Sequence, residues 1–213
     1  MASRKRSYQS EARQQAAQAT RGRIITAARK LFARSGVDPV TIADIAERAE
    51  VGQSTIYALF GSKTGILREL MREAIFNARY RSAALALEGV TDPDQVLGLT
   101  ARVARSIYEG EAREAAVLRG ASAFSKELRK LESEFEDARY DLQHDRVALL
   151  HERKLLRPEL DKATARHLLW MYTSRDIYRM LVLERGWTAD QYEAWLGRTL
   201  AVELLQPDRH SRG

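Results

Sequence analysis

The sequence contains no cysteine, only four prolines and three tryptophans in 213 residues, and no long uninterrupted apolar run. Without cysteine there is no disulfide framework, no thiolate nucleophile and no cysteine-containing metal site, a composition that suits a reducing cytoplasm. Without a run approaching ~18 apolar residues, or an apolar segment after the early cations, neither export nor a membrane span is expected. Strict apolar/polar alternation is missing too, so strands are not expected and the fold class reads as all-α. Motifs for catalysis are equally scarce. No H-E-x-x-H helix, G-x-S-x-G turn or phosphate-cradling glycine loop occurs, so no enzyme and no cofactor is expected. His144 and His151 lie seven apart, with Asp145 and Glu152 following, and read as a solvated helix face rather than a metal site.

What the chain does have is positive charge in one place. Its 35 Lys and Arg against 29 Asp and Glu give a net +6. Residues 1–63 hold eleven cations and five acids, which accounts for the whole excess, and the remaining 24 and 24 cancel. Such a footprint points to a polyanionic partner at the N-terminal end, and it argues against a helical interaction module that never meets nucleic acid.

Helical periodicity runs through nearly the whole chain, predicting about nine helices. A first helix over 20–35 places Ile24, Ile25, Ala28, Leu31 and Phe32 on one face, with Gly36 as its stop. Thr41 opens a short helix, and Asp44 three residues on completes a capping-box pattern. A turn over Glu50–Gly52 leads to a second short helix, 53–60, with Ile56, Leu59 and Phe60 inward. Helices of about two turns are marginal alone. Two of them on a third make sense as a helix-turn-helix whose second member enters a major groove. Further helices are expected at 63–87, 93–109, 111–119, 122–154, 161–185 and 189–205, with Asp92–Pro93 and the Thr188/Gln191 capping box marking two starts.

Along the outer face of the 53–60 helix, Gln53 and Ser54 are the expected base readers, since a Gln amide pairs bidentately with adenine and a Ser hydroxyl serves several bases. Ala58 suits a thymine methyl. Tyr57, Thr41 and Thr55 are expected at backbone phosphate, the threonines either there or as plain caps and surface hydroxyls. Lys63 is a cation at a helix N-terminus, electrostatically misplaced unless an external phosphate is shared there. Arg4, Lys5 and Arg6 either reach an adjacent minor groove or form a solvated tail.

The run VGQSTIYALFGSK over 51–63 resembles the TetR family of regulators. Thr55, Ile56, Tyr57, Phe60 and Lys63 fall on that family's motif, and Thr41, Ile45 and Ala46 stand where it has its capping Thr and Ile-Ala pair. Glu50 replaces a Gly that relatives hold in a left-handed conformation, and Gly65 replaces a common Glu. The resemblance implies an N-terminal three-helix helix-turn-helix domain for DNA binding and a larger C-terminal helical domain for ligand binding and dimerisation. The expected divisions are a flexible basic arm (1–19), the DNA-binding domain (20–65), an effector and dimerisation domain (66–207) and a tail (208–213). The expected partners are double-stranded operator DNA, a small-molecule effector and a second copy of the chain. A repressor released by its effector is the implied mode, and an architectural DNA-binding protein without ligand control is the alternative. Tyr108, Phe124, Tyr140, Trp170 and Tyr172 offer aromatic area for an effector pocket, although helical spacing also suits each to core packing. Tyr178, Leu181, Tyr192, Trp195, Leu196 and Leu200 form an apolar stripe on the last two helices, available to a dimer or to the chain's own interior.

Overall fold

The computed structural model describes residues 2–111 and 126–207, the side chains of 2–13, 74–75, 110–111 and 126–128 excepted. The helices are α1 (Ala2–Ser35), α2 (Ile42–Ala49), α3 (Gln53–Phe60), α4 (Lys63–Ile75), α5 (Ala78–Leu85), α6 (Pro93–Glu111), α7 (Lys126–Leu142), α8 (His144–Glu152), α9 (Lys162–Tyr172), α10 (Arg175–Tyr178, continued by the π-helical turn Arg179–Glu184) and α11 (Ala189–Leu204). The fold is all-α, and the described residues hold no strand beyond a single bridge between Leu156 and Leu205. Compactness divides the described chain into one unit of residues 2–73 with 126–131 and another of residues 74–111 with 132–207.

In the first unit a small core is drawn from four helices. Ile24, Ala28 and Phe32 of α1, Ile45 and Ala49 of α2, Ile56 of α3 and Ile66, Leu67 and Leu70 of α4 are all buried. Each large aliphatic side chain contributes at most about 1.5–3 kcal/mol, so the unit also relies on ties between helices. Arg21 of α1 forms an ion pair with Glu69 of α4 at 2.9 Å, lies 4.6 Å from the Phe60 ring centroid and donates to the Leu59 carbonyl. Arg29 pairs with Glu73 at 2.9 Å. These pairs explain why the compact unit runs on to Glu73 rather than ending at 65: α4 is part of it.

The second unit centres on α6 against α11. Gly98 and Gly197 lie where these helices meet, and a Cβ on Gly197 would stand in ordinary contact, 3.5 Å from the Gly98 Cα. Arg105 of α6 reaches Asp190 and, at 3.0 Å, Glu193 of α11. Leu97, Ala101, Ala104 and Tyr108 pack with Leu169, Tyr178, Tyr192, Leu196 and Leu200 in one cluster. Downstream of α8 the chain returns beside the end of α11, where Arg157 N–H donates to Leu204 O and Gln206 N–H to Leu155 O.

Helix starts carried by local chemistry stand where the sequence puts them. Thr41 and Thr188 each close a capping box, and Asp92 accepts the Gln95 N–H at 2.8 Å. Four features differ. α1 begins at Ala2, where a flexible arm was expected, and the Ala- and Gln-rich stretch before Thr20 is a strong helix former. The expected 63–87 helix breaks at Asn77, whose side chain caps the Tyr80 N–H at 3.0 Å. Gln143 separates α7 from α8 within the expected 122–154 helix. Thr173 and Ser174 divide the expected 161–185 helix, Ser174 capping Ile177. The expected 111–119 helix (beyond Glu111), Phe124 and the tail from residue 208 lie outside the described residues.

Candidate nucleic-acid interface

The local chemistry that sets α3 begins one helix earlier. Thr41 accepts the Asp44 N–H at 3.1 Å, and Asp44 in turn accepts from the Thr41 backbone and hydroxyl, both at 2.8 Å. These bonds, the backbone one first, hold the Asp44 carboxyl below its ordinary pKa. α2 ends at Glu50 in a left-handed conformation (φ 55°, ψ 50°). Its N–H returns to Glu47 O, and the Val51 N–H to Ala46 O at 3.0 Å, the double closure that terminates a helix sharply. Two residues later Gly52 begins α3, whose first turn has no side-chain cap. The free N–H groups there can meet an external acceptor such as phosphate.

The two faces of α3 are chemically separate. Ile56 is fully buried. Gln53, Ser54, Tyr57 and Ala58 are exposed on the opposite side, Tyr57 at 53%. Thr55 is half-buried beside them. An exposed aromatic of that extent in a helix with a polar outer face has an apolar body and a hydroxyl free to meet a partner.

Two expected contacts have other employment. The Lys63 ammonium donates to the carbonyl oxygens of Val37, Asp38 and Val40 at 2.9, 3.2 and 2.9 Å. An ammonium has three donors, so all are committed to closing the α1–α2 connection onto the start of α4, and the expected phosphate contact is corrected to an internal clamp. Thr41 is exposed, yet its hydroxyl proton points at Asp44, which leaves it a cap.

Cations that the contact set omitted stand on α1 and α2. Arg23 and Lys30 line a groove with Arg48 and the C-terminal end of α2, all three exposed. Among the described residues no carboxylate pairs with them, in contrast to Arg21 and Arg29. The basic outer face of the first helix was the available signal.

In the second unit, a cavity is lined by Tyr108 but not by Tyr140, Trp170 or Tyr172. Tyr140 stacks on His167 beneath the Arg166 guanidinium, Trp170 carries Arg139 over its ring, and Tyr172 packs against the core. The expected dimer stripe is likewise corrected in part. Tyr178, Tyr192, Leu196 and Leu200 are buried in the chain's own core, and Tyr178 and Tyr192 meet edge to face at 4.9 Å. Leu181 and Trp195 remain half-buried, and the exposed apolar residues nearby are Met180, Leu183 and Val202. His144 and His151 are exposed, and no group of three or more His, Asp or Glu among the described residues is placed to hold a metal ion. No described helix is long and apolar enough to cross a membrane.

A charged all-helical chain with a short helix presented in this way belongs to the class of helix-turn-helix proteins. Residues 24–70 match the family described as bacterial regulatory proteins, tetR family. The fold is similar to that of a TetR-family transcriptional regulator from Syntrophomonas wolfei, described as putative (TM-score 0.71, 20% identity, covering 88% of this chain and 97% of that one). It is similar also to NalD, the secondary repressor of the MexAB-OprM multidrug efflux pump in Pseudomonas aeruginosa (TM-score 0.70, 22% identity, 90% and 99%). A third likeness is to the regulator FadR from Bacillus subtilis, solved in complex with stearoyl-CoA (TM-score 0.66, 19% identity, 84% and 96%). A comparison with curated proteins gives no match. Residues 24–70 thus match the tetR family's N-terminal regulatory model, and the fold of the chain is like that of TetR-family regulators.

Proposed function

We propose that this regulator is a homodimeric repressor that binds a palindromic operator through α3 and is released by a small molecule held in its second unit. The observation that carries this reading is the exposed face Gln53, Ser54, Tyr57 and Ala58 over a fully buried Ile56, on the unit that bears all the chain's excess charge. Gln53 and Ser54 read base edges, Ala58 meets a thymine methyl, and Tyr57 and Thr55 contact phosphate. Arg23, Lys30 and Arg48 add sequence-independent attraction. If a dimer neutralises about eight phosphates, log K falls against log salt with a slope of roughly −7.

One helix of two turns reads few base pairs, so useful specificity requires two copies on related half-sites. Exposed Leu183 and Val202, 61% and 63% accessible on the last two helices, support a second copy docking there. Repression is supported by the description of NalD as a repressor, and a bound small molecule by the stearoyl-CoA complex of FadR. Selecting bound duplexes from a random pool tests the proposal: a shared palindromic sequence is the expected result, and sequence-indifferent recovery would replace it with an architectural role.

A further inference from the structure

Within the first unit, α3 is held by little of its own surface. Ile56 is its one fully buried side chain, while Leu59 and Phe60 are half-buried. A helix of two turns anchored mainly through one apolar residue can roll and slide about that point, because apolar burial is non-directional. Its N-terminal turn has no side-chain cap, so the ties that orient it are at the other end.

Arg21 of α1 provides them. Its Nη1 donates to Leu59 O at 3.3 Å, the guanidinium lies 4.6 Å from the Phe60 ring centroid, and Nη2 meets Glu69 Oε2 at 2.9 Å. Leu59 O is one of the last four carbonyls of α3, which have no partner within the helix, and the negative end of the helix dipole favours a cation there. Another of the four, Tyr57 O, accepts from the Gly61 N–H at 2.9 Å.

Glu69 is itself fixed. Its side chain is 12% exposed, its Oε1 accepts from Arg72 Nη2 at 2.7 Å, and its Oε2 from Arg72 Nε at 3.3 Å. Both residues lie on α4, so the carboxylate is a stationary post for Arg21. The planar fork of an arginine holds two partners at a set angle, which an ammonium on a flexible stem does less well.

We infer that Arg21 and Glu69 are positioning residues for base reading: they fix the roll and axial position of α3, and so where Gln53 and Ser54 stand in the groove, without touching DNA themselves. Functional side chains need placement within about 0.5 Å and 10–20°, whereas phosphate contacts carry no sequence information. The inference rests on α3 being the reading helix and adds what holds that helix in register. Charge alone and positioning predict opposite results for Glu69→Gln. Removing an acid from the basic unit should tighten binding to every duplex, whereas losing the post for Arg21 should erode the preference for the selected one.

The test measures equilibrium binding of the full chain, Arg21→Lys, Glu69→Gln and Gln53→Ala to the duplex selected by the parent and to an unrelated duplex, at several salt concentrations. The readout is the ratio of the two affinities, because partial unfolding lowers both alike. In Arg21→Lys and Glu69→Gln the ratio is expected to fall about threefold or more, part of the loss that a deleted base contact gives. Affinity for the unrelated duplex should be kept or raised, and the salt slope of Arg21→Lys should be unchanged. An unchanged ratio in either variant, while Gln53→Ala lowers it, would overturn the inference and leave α3 as the reading helix. Equal losses on both duplexes would also overturn it, marking Arg21 as a phosphate contact or the pair as a structural tie only. If the parent has no preferred duplex, or Gln53→Ala leaves the ratio intact, the reading helix itself is misassigned and the inference falls with it.

Discussion

A Cβ on Gly65 would lie 1.8 Å from the carbonyl oxygen of Phe60. In an ordinary helix interior, replacing Gly by Ala gains about 1 kcal/mol. Here the obstructing atom is backbone, held where α3 turns into α4, and it cannot swing aside. Gly65→Ala is therefore expected to destabilise the chain by about 1–3 kcal/mol, read as a lower denaturant midpoint. A gain in stability would show that the close approach is not a constraint.

Lys63→Met keeps the aliphatic stem and deletes three donors. The carbonyls of Val37, Asp38 and Val40 lose a charged partner, for an expected cost of about 2 kcal/mol or more. The dependence of DNA affinity on salt should keep its slope, because no phosphate contact is removed. Arg48→Ala should instead make the slope shallower by about 1 per bound headpiece. A shallower slope for Lys63→Met in titrations at several salt concentrations would restore the phosphate role.

The difference between these two cations marks what could be seen in the sequence. Capping boxes at Thr41 and Thr188, the Asp92–Pro93 start and the inward Ile56 were legible, since each is decided by residues within a turn of one another. Lys63 was not, because its partners lie 23 to 26 positions away and converge only in the fold. The Tyr192, Leu196 and Leu200 stripe was legible as buried. Periodicity shows that a face is covered, not whether the cover is the same chain or a second one, and here α6 supplies much of it. Tyr140 and Trp170 show a related limit: aromatic area is legible in the sequence, whereas the His167 and arginine neighbours against which these rings stack are 26 to 31 positions away and meet them only in the fold.

Glu50 holds a left-handed conformation that a Cβ makes costly by about 1–2 kcal/mol. Part of that cost is offset by the greater freedom glycine has when unfolded. Glu50→Gly should raise stability by about 0.5–1 kcal/mol, visible as a higher melting temperature, with DNA specificity unchanged. A destabilised variant would mean that the Glu50 side chain contributes more than its backbone costs.

Glu69 gives the first unit a specific acid sensitivity. Arg72 first, then Arg21, holds its carboxyl below the ordinary value of 4.5 against the opposing effect of burial. A folded-state pKa that is depressed stabilises fully above the unfolded value, and the contribution disappears as pH falls through the folded one. Stability measured from pH 7 downward should therefore fall below about pH 4.5 less steeply in Glu69→Gln, which starts less stable at neutral pH. Parallel curves would remove Glu69 from the acid response.

Equilibrium binding of Tyr57→Ala and Gln53→Ala to the duplex selected by the parent chain tests the outer face of α3 most directly. Tyr57→Ala should weaken binding to all duplexes alike, whereas Gln53→Ala should cost about 1–3 kcal/mol on the selected sequence and little on others. Unaltered affinity and preference in both variants would contradict the assignment of α3 as the reading helix.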